Sequence, residues 1–266
     1  MSSQPADGWQ RLERELDLWG AQGRQATLWW RDDDASRDCD ALRRLLEIAT
    51  RHRVPVVVAA IPATSDASLA AAIARCDEAA IVQHGFAHLD RAPAGERSAE
   101  LGNHRPRGER VVELVRGRET LARRFGTRFT PVLVPPWNRI AADVLEDLPG
   151  AGFAGLSCFG PRATARPVDG LLQVNAHVDL IAWRRDRSFI GADAAIERLA
   201  AHLRARRIGE ADAGEPTGVL THHLAFGGDA FAFLDELMAR TCARGASAWL
   251  PARSVFAAVA PGDAGA

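Results

Sequence analysis

Ala26-Thr27-Leu28-Trp29-Trp30 runs through Arg31 into Asp32-Asp33-Asp34, so an apolar stretch ends on three consecutive carboxylates. An uninterrupted apolar run of this length reads as a buried strand. Like charges packed this tightly raise one another's pKa unless a cation or a hydrogen-bond donor holds them, so the triplet points to a metal or a poised base at the strand's end. The bland alternative is a solvated turn capping a helix that begins near Asp38, because Asp is common at N-caps.

The same sequence of apolar strand and polar cluster recurs along the chain. Further strand-like runs lie at Val54–Ile61, Ala79–Val82, Phe129–Val134, Phe153–Cys158, Leu171–Val178, Val219–Leu220 and Ala248–Leu250. Helical patterns separate most of them, at Cys39–Arg51, Ser68–Arg75, Arg107–Phe125, Ala141–Leu148, Gly191–Arg207 and Ala230–Arg244. Buried strands alternating with helices predict a parallel sheet covered on both faces. The expected architecture is a distorted (β/α) barrel of about seven strands in a single domain; a doubly wound open sheet produces the same β-α alternation. The positions of the polar residues favour the barrel. Asp33, His84, Pro136-Trp137-Asn138-Arg139, Asp179 and His222-His223 each follow an apolar strand, as active-site residues do at the carboxyl ends of barrel strands. Trp9, Leu12, Leu16 and Trp19 fall at helical spacing, so an N-terminal helix is expected within residues 1–25 and the barrel over 26–260.

A second cluster carries metal chemistry. The strand Ala79–Gln83 runs into His84-Gly85-Phe86-Ala87-His88. Two imidazoles four residues apart converge on one ion if the backbone turns helically after the first, and Gly85 leaves room for that turn. One Asp with two His is a three-ligand set with an open position, the composition of catalytic rather than structural zinc sites. The longest stretch without periodicity, Asp90–Pro106, follows at once and reads as a functional lid, with Glu100, Asn103 and Arg107 as candidate contacts, or else as simple surface decoration.

Composition narrows the partners. The 266 residues carry a net charge of −1 with no basic block, so nucleic acid is not expected as a partner. All basic side chains other than His are Arg, and Tyr is absent; no Schiff-base lysine and no tyrosine acid are available. Cys39, Cys76, Cys158 and Cys242 lie far apart without a Cys-x-x-Cys pair, and Met1–Arg14 lacks an apolar core. The expectation is a cytoplasmic protein with no transmembrane segment.

Asp33-Asp34, His84-x-x-x-His88, Pro135-Pro136-Trp137-Asn138-Arg139, Asp179 with Trp183, and Leu220-Thr221-His222 occur in the order of the motifs of the polysaccharide deacetylase (NodB-homology) family, which the chain resembles over residues 26–226. The resemblance implies a distorted (β/α) barrel holding a divalent metal, zinc by preference, on Asp34, His84 and His88. It further implies that Asp33 is the general base that activates water and that His222 is the acid that protonates the departing amine. Such an ion would lower the pKa of water from about 15.7 toward 7, and backbone N–H groups near Trp137 would hold the oxyanion.

Several positions depart from the family pattern. The first motif usually reads Thr-Phe-Asp-Asp-Gly, so Asp32-Asp33 is a second register for the acidic pair. The hydroxyl residue after the first ligand His is Gly85 here. The third motif normally carries an Arg before its prolines, where this chain has Val134; Arg139 either fills that space from the other side, pairing with Asp179 or Asp33, or lies on the surface. Asn138 stands in place of a Gly as a possible substrate donor. His222 and His223 point to opposite faces of an extended strand, so only one can serve; Leu220 selects His222, and a bulge would select His223. Trp137 and Trp183 are candidate stacking surfaces for a sugar, against the commoner role of Trp in cores.

The expected activity is metal-dependent removal of an acyl group, acetyl by preference, from an amide nitrogen of a small-molecule or lipid-linked carbohydrate. Hydrolysis of another non-peptide C–N bond is a close variant. A non-catalytic glycan-binding or regulatory barrel is the alternative from another class. Phosphate-ester hydrolysis lacks both a second metal's ligands and a phosphate-cradling glycine loop.

Overall fold

Residues 8–257 are described by the computed structural model, and within them strand and helix alternate. The strands are β1 (Ala26–Ala35), β2 (Val56–Ala60), β3 (Ala79–His84), β4 (Phe129–Val134), β5 (Gly155–Leu156), β6 (Leu172–Gln173), β7 (Val178–Asp179), β8 (Thr217–Thr221) and β9 (Ser247–Trp249). The helices are α1 (Gly8–Ala21), α2 (Asp40–His52), α3 (Ala67–Ala74), α4 (Arg107–Phe125), α5 (Ala142–Asp147), α6 (Ala192–Arg207), α7 (Gly228–Cys242) and α8 (Ala252–Val255). Strand pairing is parallel in the order β6-β5-β4-β3-β2-β1-β8-β7, with β9 against the start of β1.

The two ends of that order belong to one stretch of chain. Residues 172–180 pair first beyond β5, where Val174 donates to the Leu156 carbonyl and Ala176 to that of Cys158. They then cross to β8, where His177 donates to Gly218 and Leu180 to Leu220. The sheet thus closes on itself through one bent strand, and the expected distorted (β/α) barrel, rather than an open doubly wound sheet, is the architecture found. Gly218 sits at the seam because a Cβ there would lie 2.5 Å from the Trp29 indole nitrogen and 2.7 Å from the Ala176 Cα.

Alternation along β1 sorts its side chains between two environments. Trp29 packs inside the barrel with Val57, Ala59, Val82, Val132, Val134 and Val174, and α8 with the residue after it closes the floor through Ala252, Val255 and Phe256. Leu28 and Trp30 face outward into the helical layers, Leu28 toward α1 and α6 and Trp30 toward α2 and α7. The stripe Trp9, Leu12, Leu16 and Trp19 of α1 packs on Ile196, Leu199 and Leu203 of α6. Each such fully buried side chain contributes about 1.5–3 kcal/mol of transfer free energy, which the large apolar staves on both sides of β1 exploit. No helix among the described residues is long and apolar enough to cross a membrane.

Candidate active site

The carboxyl ends of β1, β3, β4 and β8 deliver the site. On β1, Arg31 pairs with Val57 and Asp32 with Val58, but it is Ala35 that pairs with Ala60, so the strand carries one extra residue against β2, a bulge. Asp34 absorbs it in the left-handed region, at φ 75°. That bend brings Asp33 and Asp34 to the same site, which strict alternation would forbid, and it leaves Asp32 facing outward.

Asp34, His84 and His88 are the one group of three or more His, Cys, Asp or Glu side chains among the described residues whose donor atoms lie within 4.8 Å of one another. Asp34 Oδ1 is 3.1 Å from His84 Nε2 and 3.2 Å from His88 Nε2. Ligands about 2.1 Å from a tetrahedral ion stand about 3.4 Å apart, so the donors need to move by only a few tenths of an ångström to take one. His84 Nδ1–H donates to the Val134 carbonyl at 2.9 Å, which fixes the tautomer that leaves Nε2 bare, as metal-ligating histidines require. The donor set therefore fits a divalent ion. Burial opposes charge on Asp34, but the His84 hydrogen bond and the fields of His84, His222 and His88 outweigh it and hold the carboxyl well below its usual range. Burial likewise opposes charge on His84, and Asp33 and Asp34 overcome it to raise the imidazole; burial, followed by the charge of His84, lowers His88.

The turn joining the two histidines is not helical. Gly85 and His88 both lie at φ 54°, and the Glu100 carboxylate holds the intervening backbone by accepting from Phe86 N–H at 3.0 Å and Ala87 N–H at 2.7 Å. Glu100 thereby does from the following loop what a hydroxyl after His84 would do locally. The Asp90–Pro106 stretch is a buttress rather than a lid: Leu101 bridges to Ile140, and Asp90 accepts from Ala92 and Ala99 N–H. Asn103 is exposed, and Arg107 pairs on the surface with Asp147, so neither reaches the site.

Asp33 has a partner the sequence reading did not single out. Arg31, two residues earlier on the same face of β1, is fully buried. Its Nε and Nη2 reach Asp33 at 3.0 and 3.1 Å. The same guanidinium donates to Asn138 Oδ1 at 2.8 Å, to Ser157 Oγ at 2.8 Å and to the Cys158 carbonyl at 3.0 Å. The strand period held the signal: Trp29, Arg31 and Asp33 share a face, and an Arg there must be buried and paired. Arg139 is accordingly not the partner of Asp33 or of Asp179. It donates to the Ser98 carbonyl instead, and Asn138, expected as a substrate donor, spends its oxygen on Arg31.

His222 and His223 part as alternation requires. His222 turns inward, with Nε2 3.9 Å from Asp33 Oδ2 and Nδ1 3.9 Å from Asp179 Oδ1. His223 turns outward onto Asp32. The Trp183 indole N–H donates to Asp179 at 2.8 Å, and its ring meets His222 edge-on with centroids 4.6 Å apart. Trp183 remains 42% exposed. Burial raises the Asp179 carboxyl above its usual range. Opposite, Trp137 stands 4.5 Å from the His88 ring. Trp137 and Asn138 both take left-handed φ, at 55° and 56°.

With this geometry in view, solved structures identify the architecture. A candidate polysaccharide deacetylase from Mycobacterium smegmatis superposes with a TM-score of 0.64 at 20% identity, over 87% of this chain and 88% of that one. The family 4 carbohydrate esterase of Streptomyces lividans, solved with acetate, gives 0.56 at 12% identity, over 84% and 91%. This is the polysaccharide deacetylase fold. The fold also hosts a pseudoenzyme from Bacillus anthracis, which matches with a TM-score of 0.58 at 14% identity over 87% of this chain and 66% of that one. No family model and no curated protein matches the sequence itself. In a deacetylase-fold barrel that includes a pseudoenzyme, the chain's own residues must carry the functional argument.

Proposed function

We propose that this chain is a metal-dependent hydrolase that removes an acyl group, acetyl by preference, from a carbohydrate amide nitrogen. The observation that carries the reading is the convergence of a carboxylate–imidazole–imidazole donor set with a separate carboxylate, Asp33, and a separate imidazole, His222, whose nearest atoms are 3.9 Å apart. Asp34, His84 and His88 would hold the ion, with zinc favoured by the nitrogen-rich set and open position. That ion, when bound, polarises the acyl oxygen and makes a water nucleophilic at neutral pH.

The remaining chemistry falls to the protein. Asp33, pinned by Arg31, accepts the proton of the attacking water as the water adds to the acyl carbon. His222 then gives a proton to the nitrogen as the C–N bond breaks, releasing a carboxylic acid and a free amine. The Trp137 N–H would steady the tetrahedral oxygen, since the Asn138 and Arg139 N–H groups of the same turn donate to the Pro135 and Pro136 carbonyls. Trp137 and Trp183 would offer flat apolar walls to a sugar ring.

The substrate reading is a small or lipid-linked carbohydrate inside the cell. Two features support it. Cys39, Cys76, Cys158 and Cys242 are all free, as suits a reducing compartment. Burial and then Arg97, opposed by Asp90 and joined by Arg184, lower the Arg139 guanidinium, and these neighbouring arginines would suit the phosphates of a sugar nucleotide.

The test joins metal analysis with product release. Purified protein should hold about one divalent ion per chain, and it should release acetate from at least one N-acetyl sugar or sugar nucleotide. Chelation, Asp34→Ala and His84→Ala should each abolish that release. A protein that binds no divalent metal, or that releases acid equally well after those changes, would sink the proposal.

A further inference from the structure

Asp32 is the carboxylate of the triplet that turns away from the barrel interior, and it is fully buried. All its hydrogen-bond partners come from one short segment of another strand. Oδ1 accepts from Thr221 Oγ1 at 2.7 Å and from the backbone N–H of His223 at 3.0 Å, and Oδ2 accepts from His223 Nδ1 at 2.5 Å. The Trp30 indole N–H locks the same Thr221 hydroxyl at 2.9 Å. The backbone ladder between β1 and β8 ends at Asp32 and Thr221. Asp32 therefore extends the joint between these strands two residues past the point where main-chain pairing stops.

The position of that extension matters more than its strength. Asp33 follows Asp32, and His222 lies between Thr221 and His223. The bracket thus grips each strand one residue from a reactive side chain, on the face opposite the site, while Asp33 and His222 meet across the inner face at 3.9 Å. As mere fold support such a bracket is poor value, since a buried charged pair often contributes no more than apolar residues of the same volume. As a spacer it is effective, because proton-transfer groups misplaced by about 1 Å lose on the order of a hundredfold in rate.

We propose that Asp32 and His223 form a positioning pair that fixes His222 against Asp33. The inference rests on the deacylase reading for its rate consequences, but its geometric content stands apart from that reading.

Two variants at His223 test it and keep the Asp32 carboxylate, which still accepts from Thr221 Oγ1 and the residue-223 backbone N–H. His223→Leu removes the imidazole donor and keeps the volume, and His223→Asn returns an N–H close to Nδ1. Expected for His223→Leu is a kcat roughly 10- to 100-fold below wild type, with KM and the divalent-metal Kd unchanged within about twofold. His223→Asn should recover most of the kcat, a rescue that simple loss of packing would not give. A crystal structure of His223→Leu should show His222 Nε2 displaced from Asp33 by roughly 1 Å or more. An unmoved His222 overturns the proposal, and so does a kcat within about threefold of wild type. If the wild type itself releases no acid from any substrate, the crystal structure alone decides, and a displaced His222 upholds the positioning pair while the deacylase reading fails.

Discussion

Replacing Gly85 with Ala should cripple metal binding through a carboxylate that touches no metal. A Cβ at this position would stand 2.0 Å from Glu100 Oε2 and 2.5 Å from Pro136 Cγ, on a residue at φ 54°. The left-handed backbone alone costs Ala about 1 kcal/mol. If Glu100 withdraws, Phe86 and Ala87 N–H each lose a charged acceptor worth about 1.5–3 kcal/mol. Together these reach about 4–7 kcal/mol, comparable to the whole stability of a typical domain, so the turn should deform rather than bear the load. His88 rides on that turn, and each 1.4 kcal/mol lost from its placement is about tenfold in affinity. We expect the divalent-metal Kd of Gly85→Ala, measured by chelator competition, to weaken by at least about 100-fold, with a lower thermal midpoint in the metal-free protein. In a Glu100→Ala background, where the nearest clash is gone, the same change should cost less than it does alone. Wild-type affinity and midpoint in Gly85→Ala would refute the account of the turn.

Further outcomes follow from other contacts. Arg31→Met should lower stability by about 3–5 kcal/mol in denaturant titrations, because Asp33 is left as an unpaired buried charge; a neutral effect would show that Arg31 does not neutralise it. Trp183→Ala should raise KM up to about tenfold if the ring stacks on substrate, whereas a fall in kcat alone would assign Trp183 to orienting His222. His202, stacked on His177 with ring centroids 3.9 Å apart, is pushed down to about 3, by burial first and then by the charges of His177 and Arg206. Its folded pKa is depressed from the usual 6.5, so the unfolded chain binds the extra proton between about pH 3 and 6.5. The stabilisation is full above that window and shrinks by about 2–3 kcal/mol by pH 4.5. In urea titrations His202→Gln should lose less stability than wild type between pH 7 and 4.5, and equal losses would contradict this.

Most strands and helices were legible because they lie in apolar or periodic runs, from Val56–Ala60 to the α1 stripe. Barrel closure was harder to see. Leu171–Val178 reads as one strand, and only the three-dimensional path of 172–180 shows that it serves two neighbours, through β6 and β7 of two residues each. At the site, residue types announced the chemistry but not the partnerships. Arg31 sits inside a run that reads as a strand interior, and its pairing with Asp33 follows only once the face of β1 is known. The bulge at Asp34 has only a weak sequence marker, since Asp takes positive φ more readily than most residues but the triplet does not say which of its members does so. Glu100 lies 15 residues beyond Gly85 in a loop without periodicity, and its two backbone hydrogen bonds reflect a fold-level contact that no local spacing encodes. The position of Arg139 after the prolines left pairing with Asp33 or Asp179 and a surface role equally open; β1 supplies the Asp33 partner through Arg31, and Arg139 donates to the Ser98 carbonyl.

Strain and buried charge separate the two readings that the fold alone leaves open. Asp34, His88, Trp137 and Asn138 all hold left-handed backbone, at a cost of about 1–3 kcal/mol each for non-glycine residues in sparsely populated regions. Arg31 and Asp33 are removed from water beside them, a further desolvation cost that their pairing only partly offsets. Most of these penalties fall on residues that orient a donor set, a base and an aromatic wall; among the described residues the other non-glycine positions at positive φ are Arg53, which caps α2, and Arg187. A barrel that only bound a glycan would gain from relaxing each of them, since stacking walls and hydrogen-bond donors need neither an inward set of one carboxylate and two imidazoles nor a buried guanidinium under a second carboxylate. The concentration of cost at the carboxyl ends of β1, β3 and β4 is what a site gives up in stability to hold reacting groups in place, and it favours the proposed hydrolase over a glycan-binding barrel.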